Sequence, residues 1–167
     1  MDELEQQARD FAAGTALTQS VTGRQLLFNV FSHDSAIGED GSNEEEAKLV
    51  RETHRIWDDD TVAIAATCVR VPVLRAHAES IHLTLERPMD AAEATALLGA
   101  APGVRVVDDR DANKFPEPID AAGLDDVLVG RVRQGTTPNE LQIFVCGDQL
   151  RKGAALNAIQ IAEVLRD

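Results

Sequence analysis

The sequence predicts an α+β fold, with a mostly antiparallel sheet flanked by helices, and three observations lead there. Residues 127–133 and 141–145 each alternate apolar with polar, and the turn-rich stretch 135–139 separates them, the pattern of a β-hairpin. Ile81, Leu83 and Leu85 alternate against polar neighbours in the same way. Helix-period segments stand between these hairpin-like runs, an arrangement typical of α+β domains.

Residues 2–12 read as a helix, with Leu4, Ala8 and Phe11 at helical spacing and Gly14 as a stop. A strand is expected at 25–30. The stretch 43–57 carries the best helix signal: Asn43 as N-cap, Glu46 three residues on in a variant of the capping box, then Ala47, Val50 and Ile56 on roughly one face. From 61 to 73 the chain is rich in Val, Ile and Thr and reads as a strand that Pro72 weakens at its end. Residues 90–98 read as helix, 104–107 as a short strand and 108–123 as a long surface loop. The last element, 149–166, reads as one Ala-rich helix. Its apolar residues cover most of the circumference, so it expects burial on several sides.

At 167 residues one domain is the default expectation. The formal charge of −13 argues against nucleic acid or an anionic membrane as partner, so any anionic ligand must be held by locally placed cations. Cys68 and Cys146 lie in apolar runs, which fits a reducing compartment without disulfides, and their spacing implies no metal site. No apolar stretch reaches the ~18–20 residues that span a bilayer. Asp2, Glu3 and Glu5 make the start unlike a signal or transit peptide, so the chain as given is expected to be soluble and unaddressed.

The segment Cys68-Val69-Arg70-Val71-Pro72-Val73-Leu74-Arg75-Ala76-His77-Ala78-Glu79-Ser80 resembles the arginine-to-histidine signature of aspartate-semialdehyde dehydrogenases. Three more blocks agree in order. Phe28-Asn29-Val30 with Asn43-Glu44-Glu45-Glu46-Ala47-Lys48 and Glu52-Thr53 resembles the substrate-contacting helix and its entry; Phe115 to Gly123 with Val129-Gly130-Arg131-Val132-Arg133 resembles a later loop and sheet; Cys146 to Ala158 resembles the closing helix on the cofactor side. The wording of 74–80 and 143–149 is most similar to plant, algal and some bacterial forms. That implies a bacterial cytoplasm or a plastid stroma.

The resemblance implies reduction of aspartyl 4-phosphate to aspartate 4-semialdehyde with NADPH, in the biosynthesis of amino acids of the lysine, threonine and methionine group. It assigns His77 as the general acid–base, since imidazole can take and return a proton near neutral pH. Arg70 matches the residue for the substrate carboxylate, where a planar guanidinium can donate two parallel hydrogen bonds. Glu45 and Lys48, one helical turn apart, match the groups for the substrate ammonium and phosphate. Gln149, Gly153 and Asn157 match positions along the nicotinamide end of NADP. No metal is implied.

Cys68 is not expected to be the nucleophile, because the family's thiol belongs to an Asn-Cys motif at a helix start that this sequence does not contain. A Gly-rich dinucleotide-binding turn is not found either. The chain is therefore expected to be the C-terminal half of such an enzyme: 1–148 a substrate-binding and dimerisation domain, 149–167 a helix that belongs with an absent Rossmann domain. A homodimer is the expected assembly, with that Rossmann half and a small-molecule substrate as the other partners, and the chain alone is expected to be inactive. A non-catalytic dimerisation or regulatory subunit derived from the family is the competing reading.

Overall fold

Residues 2–166 are described in this computed structural model. They fall into two compact units, Met1–Leu74 and Arg75–Asp167.

The first unit opens with α1 (Asp2–Ala13), whose acidic first turn complements the positive end of the helix dipole. Its buried side is partly polar. Gln7, fully buried, donates to the carbonyls of Thr18 (2.7 Å) and Arg24 (3.1 Å) and accepts from the N–H groups of Leu26 and Leu27 (2.8 and 2.9 Å). Glu3 accepts from Val21 and Thr22, and the Val21 bond is the largest influence holding its pKa below the usual carboxylate range. Side chains thus satisfy backbone groups that a strand would otherwise pair. For the same reason the strand expected at 25–30 does not form: the chain turns there, with Asn29 N–H on the Leu26 carbonyl and Phe28 at φ 58°. The chain becomes extended and paired just after this turn, at β1 (Phe31–Ser32).

Helix α2 (Glu44–Trp57) begins with a complete capping box: Asn43 Oδ1 accepts from Glu46 N–H at 3.0 Å, and Glu46 Oε2 accepts from Asn43 N–H at 2.8 Å. It ends at Asp58 in the left-handed conformation. The strand expected over 61–73 is reduced to β2 (Val69–Arg70), antiparallel to β1 with Phe31 opposite Arg70. A strand needs a partner ladder, and here the neighbouring backbone groups go elsewhere. The ladder goes one bond further, from His33 N–H to the Cys68 carbonyl (3.0 Å), but Cys68 N–H donates to Glu46 Oε1 (2.8 Å) and the Val62 carbonyl meets His54 Nε2 (2.8 Å).

The second unit is a four-stranded sheet in the order β3 (His77–Thr84), β6 (Glu140–Gly147), β5 (Val127–Gln134), β4 (Val104–Val106). Its pairings are antiparallel except β4 with β5, which is parallel, so the sheet is mixed. Helix α3 (Ala91–Ala100), capped by Asp90, packs Ala94 and Leu98 against Val129, Val132, Leu141 and Ile143 on one face. Val129 and Val132 share that face because the register of β5 shifts between Gly130 and Arg133, a bulge with Arg131 at φ 55°. On the opposite face Leu128 and Cys146 pack with Ala76 and with Ala121 of α4 (Pro118–Ala121), a short helix inside the expected loop 108–123. Gly130 is required by close approach: a Cβ there would lie 2.0 Å from the Val107 carbonyl oxygen.

The terminal helix is two elements, not one. A π-turn at Arg151–Ala155, in which Gly153 N–H reaches back to the Asp148 carbonyl (3.1 Å), leads into α5 (Leu156–Val164). Ile159, Ile161, Val164 and Leu165 are exposed. No helix among the described residues is long and apolar enough to cross a membrane.

Candidate active site

Each unit presents part of the set expected from the sequence. In the first, the capping box commits Glu46 to the backbone, and Glu45 pairs with Lys48, Nζ to Oε2 at 3.4 Å. Both side chains are partly exposed, so the pair offers a carboxylate and an ammonium to a ligand. Arg70 stands on β2, fixed opposite Phe31. Its Nε and Nη2 both donate to Oδ1 of Asp34, at 3.2 and 3.1 Å. The pKa of Asp34 is lowered first by its own N–H and next by Arg70. Asp34 thereby orients the guanidinium through one edge.

In the second unit His77 is the first residue of β3, paired with Gly147 of β6. Its ring makes no hydrogen bond among the described residues, whereas the other three histidines have partners: His33 with Ser35 (3.1 Å), His54 with Val62, and His82 near Glu140 (4.0 Å). An exposed, unpartnered imidazole at a strand end is available for proton transfer. It lines a cleft of about 290 Å³ with Glu79, Val127, Gln149, Lys152 and Gly153. Of the expected cofactor-side residues, Gln149 and Gly153 lie in this cleft and Asn157, on α5, is not part of its lining.

Sequence reasoning missed the group that organises this end of the sheet. Asp148 is buried, and its Oδ2 accepts from Arg75 Nε (2.8 Å) and Gly123 N–H (2.5 Å) while Oδ1 accepts from Leu150 N–H (2.9 Å). Burial alone would raise its pKa, but these hydrogen bonds outweigh burial and hold it at about 2. The next residue, Gln149, accepts from Ala76 N–H (2.8 Å), and Ala76 itself sits at φ 76°. An Asp just ahead of the Leu150 and Arg151 N–H groups is a capping signal that the sequence displayed. The left-handed alanine had no such signal. Cys146, fully buried, has its thiol pushed up to about 11, first by burial and then by the charges of Glu117 and Asp120. It is a packing residue.

Comparison with known proteins gives the family. The family model of the semialdehyde dehydrogenase dimerisation domain matches residues 1–152. An aspartate-semialdehyde dehydrogenase of Synechocystis sp. is 48% identical over 99% of this chain, which covers 49% of that protein. The crystal structure of aspartate semialdehyde dehydrogenase II from Vibrio cholerae complexed with ASA is similar with a TM-score of 0.93 at 37% identity, over 99% of this chain and 49% of that one. A Candida albicans aspartate semialdehyde dehydrogenase structure with NADP shares the fold at a TM-score of 0.66 and 22% identity, over 88% of this chain and 47% of that one. The chain spans about half the length of the curated relatives it matches. With 48% identity maintained along its whole length and a family model matched through residue 152, this chain belongs to the aspartate-semialdehyde dehydrogenases, as their dimerisation-domain part.

Proposed function

We propose that this chain supplies the substrate-binding and acid–base half of an enzyme that reduces aspartyl 4-phosphate to aspartate 4-semialdehyde with NADPH. The observation that carries the reading is His77, an imidazole at a strand end with no hydrogen-bond partner among the described residues, in one cleft with Gln149, Lys152 and Gly153. The Vibrio cholerae relative complexed with ASA supports the substrate class.

In this reading Arg70 binds the α-carboxylate with the guanidinium edge that Asp34 leaves unused. Glu45 takes the ammonium. Lys48 takes the phosphate, whose negative charge repels a chain of net charge −13 unless a local cation meets it. His77 accepts the proton of the attacking thiol, which the other half of the enzyme contributes, and returns it to that sulfur when the aldehyde is released.

The ring end of NADP fits the Gln149–Gly153 side of the cleft. Even a Cβ added at Gly153 would come no nearer than 3.7 Å to any neighbour, and Gln149, its oxygen held by Ala76, keeps its amide N–H donors. When bound, the cofactor supplies hydride; these residues orient its ring. The Candida albicans relative with NADP supports the choice of cofactor.

The assembly proposed is a homodimer formed through this domain, each copy joined to a Rossmann half that covers the exposed apolar residues of α5. The bacterial relatives support a cytoplasmic setting. Complementation tests the reading: the chain alone is expected to turn over nothing and to bind NADPH weakly, whereas the chain joined to a cofactor-binding half oxidises aspartate semialdehyde in a phosphate- and NADP-dependent reaction. Folded, joined protein without that activity would favour the non-catalytic subunit.

A further inference from the structure

We propose that Arg75, through its ion pair with Asp148, is a positioning residue for His77: together with the left-handed Ala76 it sets the direction in which the imidazole enters the cleft. The inference rests on the reading of His77 as the proton-transfer group.

Among the described residues no hydrogen bond to the ring holds His77 in place. What is held is the backbone before it. Three successive residues are tied to three others about seventy positions later: Arg75 to Asp148, Ala76 to Gln149, and His77 to Gly147. The central member is strained, since an alanine at φ 76° brings its Cβ close to the backbone and persists only where its surroundings over-determine it. Those surroundings are on hand, for Ala76 is buried at 7% exposure and its N–H is fixed by Gln149 Oε1 at 2.8 Å. Such strain recurs at functional sites.

The ion pair is more than a staple for Asp148. That carboxylate already accepts backbone N–H groups from Gly123, Leu150 and Arg151, the last at 3.2 Å, so the turn that begins the terminal helix is satisfied without Arg75. Arg75 in turn is one-third exposed and belongs to neither core cluster. The consequence of the contact therefore falls on residues 75–77. Nε and Nη2 both reach Oδ2 at 2.8 Å, which ties the start of β3 to a buried anchor that three backbone N–H groups hold.

The test uses the enzyme in which this chain is joined to its cofactor-binding half, and compares Arg75→Gln, Arg75→Lys and His77→Asn with wild type. Arg75→Gln is expected to lower kcat about tenfold, a misplacement effect, with KM for the acyl phosphate unchanged because Arg70, Glu45 and Lys48 are untouched. Arg75→Lys keeps the charge and loses the fork, so its kcat should fall between the two. Wild-type kcat in folded Arg75→Gln overturns the proposal. If that variant does not fold, wild-type kcat in Arg75→Lys overturns it equally. Full turnover by His77→Asn would remove the functional reading and this proposal together, whereas an inactive His77→Asn beside a normal Arg75→Gln removes this proposal alone.

Discussion

Asp34 holds Arg70 by one edge: both Nε and Nη2 of the arginine converge on Oδ1, at 3.2 and 3.1 Å. Asp34→Ala should therefore release the guanidinium and raise KM for the acyl phosphate about tenfold, the order of one lost charge-assisted contact, whereas Asp34→Asn, which keeps an acceptor at Oδ1, should raise it less. Steady-state kinetics of the two variants in the assembled enzyme decide this. Equal, wild-type KM values in both would mean that Asp34 orients nothing.

Asn43 and Glu45 are two residues apart and should separate stability from binding. Asn43 is buried, caps α2 and reaches the Cys68 carbonyl, so Asn43→Ala should cost about 1 kcal/mol or more in a denaturant titration. Glu45→Ala removes only a partly exposed pair with Lys48 and should leave the unfolding midpoint nearly unmoved while weakening substrate binding. A destabilised Glu45→Ala with normal KM would exchange their roles.

Gly130→Ala forces a methyl against the Val107 carbonyl at 2.0 Å and Pro116 Cδ at 2.6 Å, neither of them a flexible side-chain end. The strain should destabilise the second unit by about 3 kcal/mol, the upper range for overpacking. Calorimetric melting checks it, and an unchanged transition would show that the loop carrying Val107 yields freely.

These outcomes bear on how much of the molecule was legible beforehand. Elements whose signal is local were readable. The Asn43 capping box, the amphipathic start at Leu4 and the alternation of Ile81 with Leu83 all depend on spacing within one element, and each formed as expected. What failed depended on distant partners. The run at 61–73 has strand composition, yet the Cys68 N–H is taken by Glu46 and the Val62 carbonyl by His54, so the paired strand is confined to Val69–Arg70. The parallel register of β4 on β5 and the bulge at Arg131 come from packing that no single window contains. For the site, the resemblance nominated candidate residues, while the Arg75–Asp148 contact was not legible, because residues seventy-three apart carry no joint signal.

Asp148 also sets an expected pH dependence. Its folded pKa of about 2 lies below the ordinary carboxylate value of ~3.9, so its contribution to stability is complete above about pH 4 and is lost as pH falls toward 2. Urea midpoints of wild type should therefore fall through that window more steeply than those of Asp148→Asn, which has no carboxylate to protonate there. Parallel curves would mean that the carboxylate is not held as the structure places it.

The most direct measurement of the central claim is the turnover number of His77→Ala in the assembled enzyme, with folding verified beside it. If His77 moves the proton, turnover should drop about 10²–10⁴-fold while the protein stays folded, since the residue is exposed. A folded His77→Ala enzyme that works at the wild-type rate would contradict the account.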